Sequence, residues 1–130
     1  MTDFKKMMEQ SLSPGEAELL MASLDTPSPV SIRQHTKKTS EELIPGSVPV
    51  PWCPAGRYLE ERPVFTLDPR FHAGAYYVQE ASGMSVWQLA PYLKEMNAPR
   101  ILDACAAPGG KSTLLLDIIP EDGLLVSNEI

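Results

Sequence analysis

The stretch Ile101–Ile130, "ILDACAAPGGKSTLLLDIIPEDGLLVSNEI", constrains the fold of this chain more than any other. An apolar run opened by Arg100 meets a turn that holds Pro108, Gly109 and Gly110. "KSTLLLDII" then reads as a helix, "PEDG" as a turn and "LLVSNEI" as a second strand. Strand, helix and strand at these lengths make a βαβ unit, which implies a parallel sheet. Two parallel strands alone leave an open edge and an unfinished core. The unit therefore reads as the start of a larger α/β domain, and the chain as the front part of a larger protein.

A loop between a strand and a following helix suits a polar or charged ligand. Unpaired backbone N–H groups and the helix dipole both point there. Gly109 and Gly110 carry no Cβ, so a ligand can approach the main chain closely. Three ligand classes compete. A phosphate-binding P-loop needs G-x-x-x-x-G-K-[ST]. "CAAPGGKS" supplies Gly110, Lys111 and Ser112 but has Cys105 where the first glycine belongs. A dinucleotide fingerprint, G-x-G-x-x-G, is absent. An adenosyl cofactor would place an acid at the end of the second strand on its ribose hydroxyls, and Glu129 stands there, 26 residues after Asp103. Asp103 itself could simply brace the loop through backbone N–H groups. Cys105 could be a small core residue. Lys111, a cation at a helix N-terminus, calls for an acidic partner.

Upstream, residues 1 to about 25 read as two helices. Phe4, Met7 and Met8 recur at helical spacing; Ser13 is an N-cap with Pro14 at the first helical position. Leu19, Leu20 and Leu24 would form the second helix's apolar stripe. Val30 and Ile32 alternate with Ser31 and Arg33, which suggests a short strand. Residues 45–56 hold four prolines and read as an extended linker or edge segment. Short strands are expected around Tyr58 and from Val64 to Leu67, with a turn at Pro69. Ala81, Met84 and Trp87 share a helical face, and Pro91 falls near that helix's end.

The chain is acidic, with a net charge of −6. Such a chain is a poor nucleic-acid binder by bulk attraction, and any such role needs a local basic patch. Arg33, His35, Lys37 and Lys38 supply a candidate within six residues. Salt-sensitive RNA binding by that patch alone is a second reading of function, and a solvated turn is the plain one. Cys53 and Cys105 are too few and too far apart for a zinc pattern, and no metal is expected. The start has no signal-peptide core and no run nears the roughly 20 apolar residues of a membrane span. A cytoplasmic protein with reduced thiols is expected.

At "DACAAPGGK" the sequence resembles motif I of the Sun-type (RsmB/RsmF-like) RNA 5-methylcytosine methyltransferases, which use S-adenosylmethionine. "HAGAYYVQEAS", His72 to Ser82, is similar to that family's H-x-G-x-x-Y-x-Q-[ED]-x-S block. "SIRQHTKK" is similar to its S-x-R-x-N-x-x-K stretch, with His35 in place of asparagine. Gly83 stands where the family commonly has a second serine. The resemblance implies a mixed α/β fold. Residues 1–70 would be a small α+β RNA-contacting region with its Pro-rich linker. Residues 71–130 would begin a Rossmann-like cofactor domain with an incomplete parallel sheet. It implies that Cys105, Ala106, Ala107, Pro108, Gly109, Gly110 and Lys111 surround the methionine end of S-adenosylmethionine. Glu129 would take the ribose, and Gln79 and Glu80 would support the site from the preceding helix. The substrate would be RNA, ribosomal or transfer, and the complete enzyme a monomer. The family's catalytic cysteines lie in Pro-Cys and Thr-Cys motifs beyond the matched region. Neither Cys53 nor Cys105 has that context, so no catalytic residue is assigned.

Overall fold

The computed structural model describes residues 2–39 and 43–130. Helices α1 (Thr2–Glu9) and α2 (Pro14–Leu24) open the chain. Ser13 caps α2 through a reciprocal box: its Oγ accepts from Glu16 N at 3.4 Å, and Ser13 N donates to Glu16 Oε2 at 2.9 Å. The expected apolar stripe is not buried. Leu19 and Leu24 are exposed and Leu20 is half-buried, while Ala17 is the residue of α2 carried inside. Phe4 and Met7 of α1 are exposed too.

Four strands form an antiparallel sheet: β1 (Val30–Gln34), β2 (Val48–Val50), β3 (Cys53–Leu59) and β4 (Tyr76–Val78), in the order β2-β3-β1-β4. β1 lies inside, pairing Val30 with Leu59 of β3 and Ile32 with Val78 of β4. The proline-rich segment provides the edge strand β2, whose register shifts at Pro49/Val50. Proline suits that place because an edge strand leaves half its N–H groups unpaired. The same segment also runs into β3, where Cys53 and Ala55 are buried.

Local expectations between Val64 and Pro91 are corrected. Phe65–Leu67 is a 3-10 helix, not a strand, because Pro63 and Pro69 bracket too short a run and Phe65 turns inward against Phe71 and Tyr76. Pro69 then begins the short helix α3 (Pro69–His72). Ala81 to Trp87 does present one face inward, with Ala81 and Met84 buried, but as a 3-10 helix over Ser82–Leu89. Pro91 does not end this segment; it lies in the first turn of α4 (Ala90–Glu95), where its fixed φ suits helix entry.

The βαβ unit is β5 (Arg100–Asp103), α5 (Gly110–Ile118) and β6 (Leu124–Ser127), with β5 and β6 parallel from Arg100↔Leu124 to Asp103↔Ser127. Its core is continuous with that of the antiparallel sheet. Leu114, Leu115 and Ile118 of α5 pack with Val50, Cys53, Ala55 and Met84. The fold is thus mixed α/β, a four-stranded antiparallel sheet and a short parallel pair joined across α5.

Candidate cofactor site

The loop from Ala104 to Gly109 joins β5 to α5 at the carboxyl ends of both parallel strands, the usual ligand side of such a sheet. Asp103, the last residue of β5, is buried and braces the loop from beneath. Its Oδ1 accepts from Cys105 N at 3.3 Å and its Oδ2 accepts from Ser112 Oγ at 2.6 Å. Ser127 Oγ of β6 donates to Ser112 Oγ at 3.2 Å, so both strands meet at the first turn of α5.

Gly109 caps α5 with φ 105°, a left-handed conformation open to glycine and strained for a residue with Cβ. Its carbonyl accepts the first helical bond, from Thr113 N at 2.9 Å. The amides of Gly110, Lys111 and Ser112 precede that bond and have no intrahelical acceptor, so they offer donors and the positive helix end to a ligand. A Cβ built on Gly109 would meet nothing within 4 Å, so the space before the loop is open.

Glu129 follows β6 and reaches back to the loop. Ala107 N donates to its Oε2 at 2.8 Å and Ile130 N to its Oε1 at 3.1 Å. The Ala107 and Ile130 amides hold the carboxyl below its ordinary value, so it is ionised at neutral pH. Each oxygen keeps a second lone pair, which suits hydroxyl donors. An adenosyl cofactor fits this set: small side chains at Ala106, Ala107, Gly109 and Gly110, free amides, and an exposed carboxylate facing them.

Other residues fall differently from expectation. Cys105 is exposed, not a core residue, and Cys53 is buried, where loss of solvation pushes its thiol pKa up; both are free thiols. Among the described residues no acid lies within ion-pair distance of Lys111. Gln79 and Glu80 lie in the extended link after β4, not on a helix. Gln79 does reach the loop: its Nε2 is 3.4 Å from where a Cβ on Gly110 would stand. The Glu80 carboxylate accepts from Ser82 Oγ at 3.5 Å.

The basic patch is the largest correction. Arg33 is 2% exposed and faces inward. Its guanidinium donates to Asp117 Oδ2 of α5, to Gln79 Oε1 at 3.0 Å and to Thr113 Oγ1 at 2.6 Å. His35 Nδ1 lies 3.0 Å from Asp117 Oδ1. Lys37 donates to Leu116 O at 3.2 Å and Lys38 to Ala73 O at 3.0 Å. Arg33, His35 and Lys37 therefore dock the sheet on α5, and Arg33 is not available to RNA. Tyr77, the tyrosine of the H-x-G-x-x-Y block, was given no role by sequence reasoning; its hydroxyl donates to Pro108 O at 2.9 Å. Asp117 did leave a signal: a lone acid between Leu116 and Ile118 in an apolar run.

An antiparallel sheet leading into a glycine-turned parallel βαβ start, with an acid closing the second strand, is the architecture with which a Rossmann-like α/β domain opens. Residues 1–81 match the N-terminal domain of 16S rRNA methyltransferase RsmF. The chain belongs to this RsmF family. Ribosomal RNA small subunit methyltransferase F of Cronobacter sakazakii is 31% identical over 97% of the chain and 29% of its own length. The enzyme of that name from Photobacterium profundum is 36% identical over 97% of the chain and 28% of its own length. The chain thus spans less than a third of these relatives. A solved methyltransferase homologue from Pyrococcus horikoshii aligns at TM-score 0.67 and 26% identity, over 89% of this chain and 40% of its own. The solved protein PH0851 shares the fold at TM-score 0.73 and 23% identity, over 91% of this chain and 28% of its own. No described helix is long and apolar enough to cross a membrane.

Proposed function

We propose that this chain forms the front portion of an S-adenosylmethionine-dependent enzyme that methylates carbon 5 of a cytosine in ribosomal RNA. The observation that carries the reading is the meeting of Glu129 with the glycine loop, 2.8 Å from Ala107 N. Ala106, Ala107, Pro108, Gly109 and Gly110, with Cys105 and Lys111 at the flanks, would hold the methionine end of the cofactor. Glu129 would accept from the ribose hydroxyls. The bound cofactor supplies an electrophilic methyl group; the chain's own residues bind and orient it. No residue here is assigned the attack on cytosine. The relatives' names favour ribosomal over transfer RNA, and a cytoplasmic site of action accords with that substrate. We retain residues 1–70 as the RNA-contacting region and 71–130 as the start of the cofactor domain. With Arg33 buried, Lys37 and Lys38 are the patch's remaining permanent cations, which weakens the reading of a chain that only binds RNA. The test is transfer of a labelled methyl group to 16S ribosomal RNA by the full-length protein, with the product mapped as 5-methylcytosine. Gly109→Asp should abolish transfer; an unaffected rate would remove the loop from the mechanism.

A further inference from the structure

The cofactor loop is gripped from outside its own βαβ unit. Tyr77 of β4 bonds the Pro108 carbonyl at 2.9 Å, and Gln79 lies against Gly110. The third grip runs through Arg33 of β1. One arm of its guanidinium is held by Asp117 and its Nε by Gln79 Oε1. The other arm donates to Thr113 Oγ1 at 2.6 Å. That hydroxyl has a single proton, which it gives to the Gly109 carbonyl at 2.7 Å. A Thr in a first helical turn often bonds back to a carbonyl four residues earlier. Here the cation orients and polarises the hydroxyl, so the short back-bond to Gly109 is strengthened over the longer contact with Gly110 O at 3.4 Å. Gly109 is the residue whose positive φ aims the three free amides of α5.

We propose that Arg33 is a positioning residue for cofactor binding, acting through Thr113 on the Gly109 carbonyl. The antiparallel sheet, and not the βαβ unit alone, then sets the shape of the cofactor loop. The inference rests on reading that loop as an adenosyl-cofactor site. Arg33 also neutralises Asp117, so its removal would disturb folding; Thr113 is exposed and separates the two roles.

The experiment compares wild type with Thr113→Val, Thr113→Ser and Arg33→Lys. Two quantities are read: affinity for S-adenosylhomocysteine by calorimetry, and amide exchange at residues 113 and 114, the first amides of α5 with helical acceptors. Thr113→Val keeps shape and removes the relay. It should weaken binding about fivefold to tenfold, the net worth of about one hydrogen bond, and speed exchange by a similar factor. Thr113→Ser should restore both. Arg33→Lys keeps the charge for Asp117 but has no planar fork to reach three acceptors, so it should follow Thr113→Val. A Thr113→Val protein with wild-type affinity and exchange overturns the proposal. Should wild type bind no S-adenosylhomocysteine, the cofactor reading fails instead. The exchange rates alone then judge whether Arg33 shapes the loop.

Discussion

Arg33 of β1 and Asp117 of α5, 84 positions apart in sequence, form a buried ion pair that fastens the antiparallel sheet to the βαβ unit. Both side chains are almost wholly shielded from water, at 3% and 1% exposed. Burial pulls the guanidinium pKa down, and Asp117 opposes that shift. Each guanidinium nitrogen has an acceptor, Gln79 at Nε and Asp117 and Thr113 at the other two, while the second carboxylate oxygen lies 3.0 Å from His35 Nδ1 without hydrogen-bond geometry.

Asp117→Ala should therefore cost about 3–5 kcal/mol, since it strands a buried cation. Replacing both partners, Arg33→Met with Asp117→Leu, should recover most of that loss. Urea unfolding midpoints of the three proteins check the claim. A double variant no more stable than Asp117→Ala would deny that the pair acts as a unit.

Gly56 of β3 lies where no side chain fits. A Cβ there would stand 2.7 Å from Met84 Sδ and 2.8 Å from Val50 Cβ. Gly56→Ala overpacks the shared core and should destabilise by about 1–3 kcal/mol. Gly15→Ala, where nothing lies within 4 Å, is the control and should not destabilise. Thermal melts of the two variants give the comparison.

Asp68 supplies the pH dependence. Its carboxylate caps α3 and accepts from Arg70 and, at 3.0 Å, from Tyr76. Arg70 is the main cause that lowers its pKa from 3.8 to about 2. A lowered carboxyl stabilises the fold above its unfolded value. That stability should be lost as pH falls from 3.8 through about 2. Tyr76, raised from 10.0 to about 12 chiefly by burial, works in the opposite sense: its contribution is full below pH 10.0 and lost as pH rises through about 12. NMR titration of the Asp68 carboxyl should give a midpoint near 2; one near 3.8 would mean that Arg70 does not hold it.

The parts legible in the sequence are those fixed by local chemistry. Ser13, Pro14 and Glu16 spell a helix start in adjacent residues. The glycine turn between two apolar runs spells β5, α5 and β6. Apolar spacing on α2 told which residues share a face, but not whether anything covers it, and Leu19 and Leu24 proved exposed. Pro91 reads alike as a stop or a start until its neighbours are placed. Arg33 looked like a surface cation because the acid that neutralises it lies on another element, and no short window contains both. The loop residues were named through motif resemblance, and so was Gln79 as a support of the site. The outside grips by Tyr77 and Arg33 were not, because they depend on where β1 and β4 settle against α5.

The central claim is that the loop and Glu129 together hold an adenosyl cofactor. The most direct measurement is calorimetric titration of S-adenosylhomocysteine into the protein and into its Glu129→Ala variant. The account predicts one saturable site in the wild type and at least about tenfold weaker binding in the variant, the loss of a charged acceptor for two hydroxyls. Equal affinities, or no saturable heat in the wild type, would contradict it.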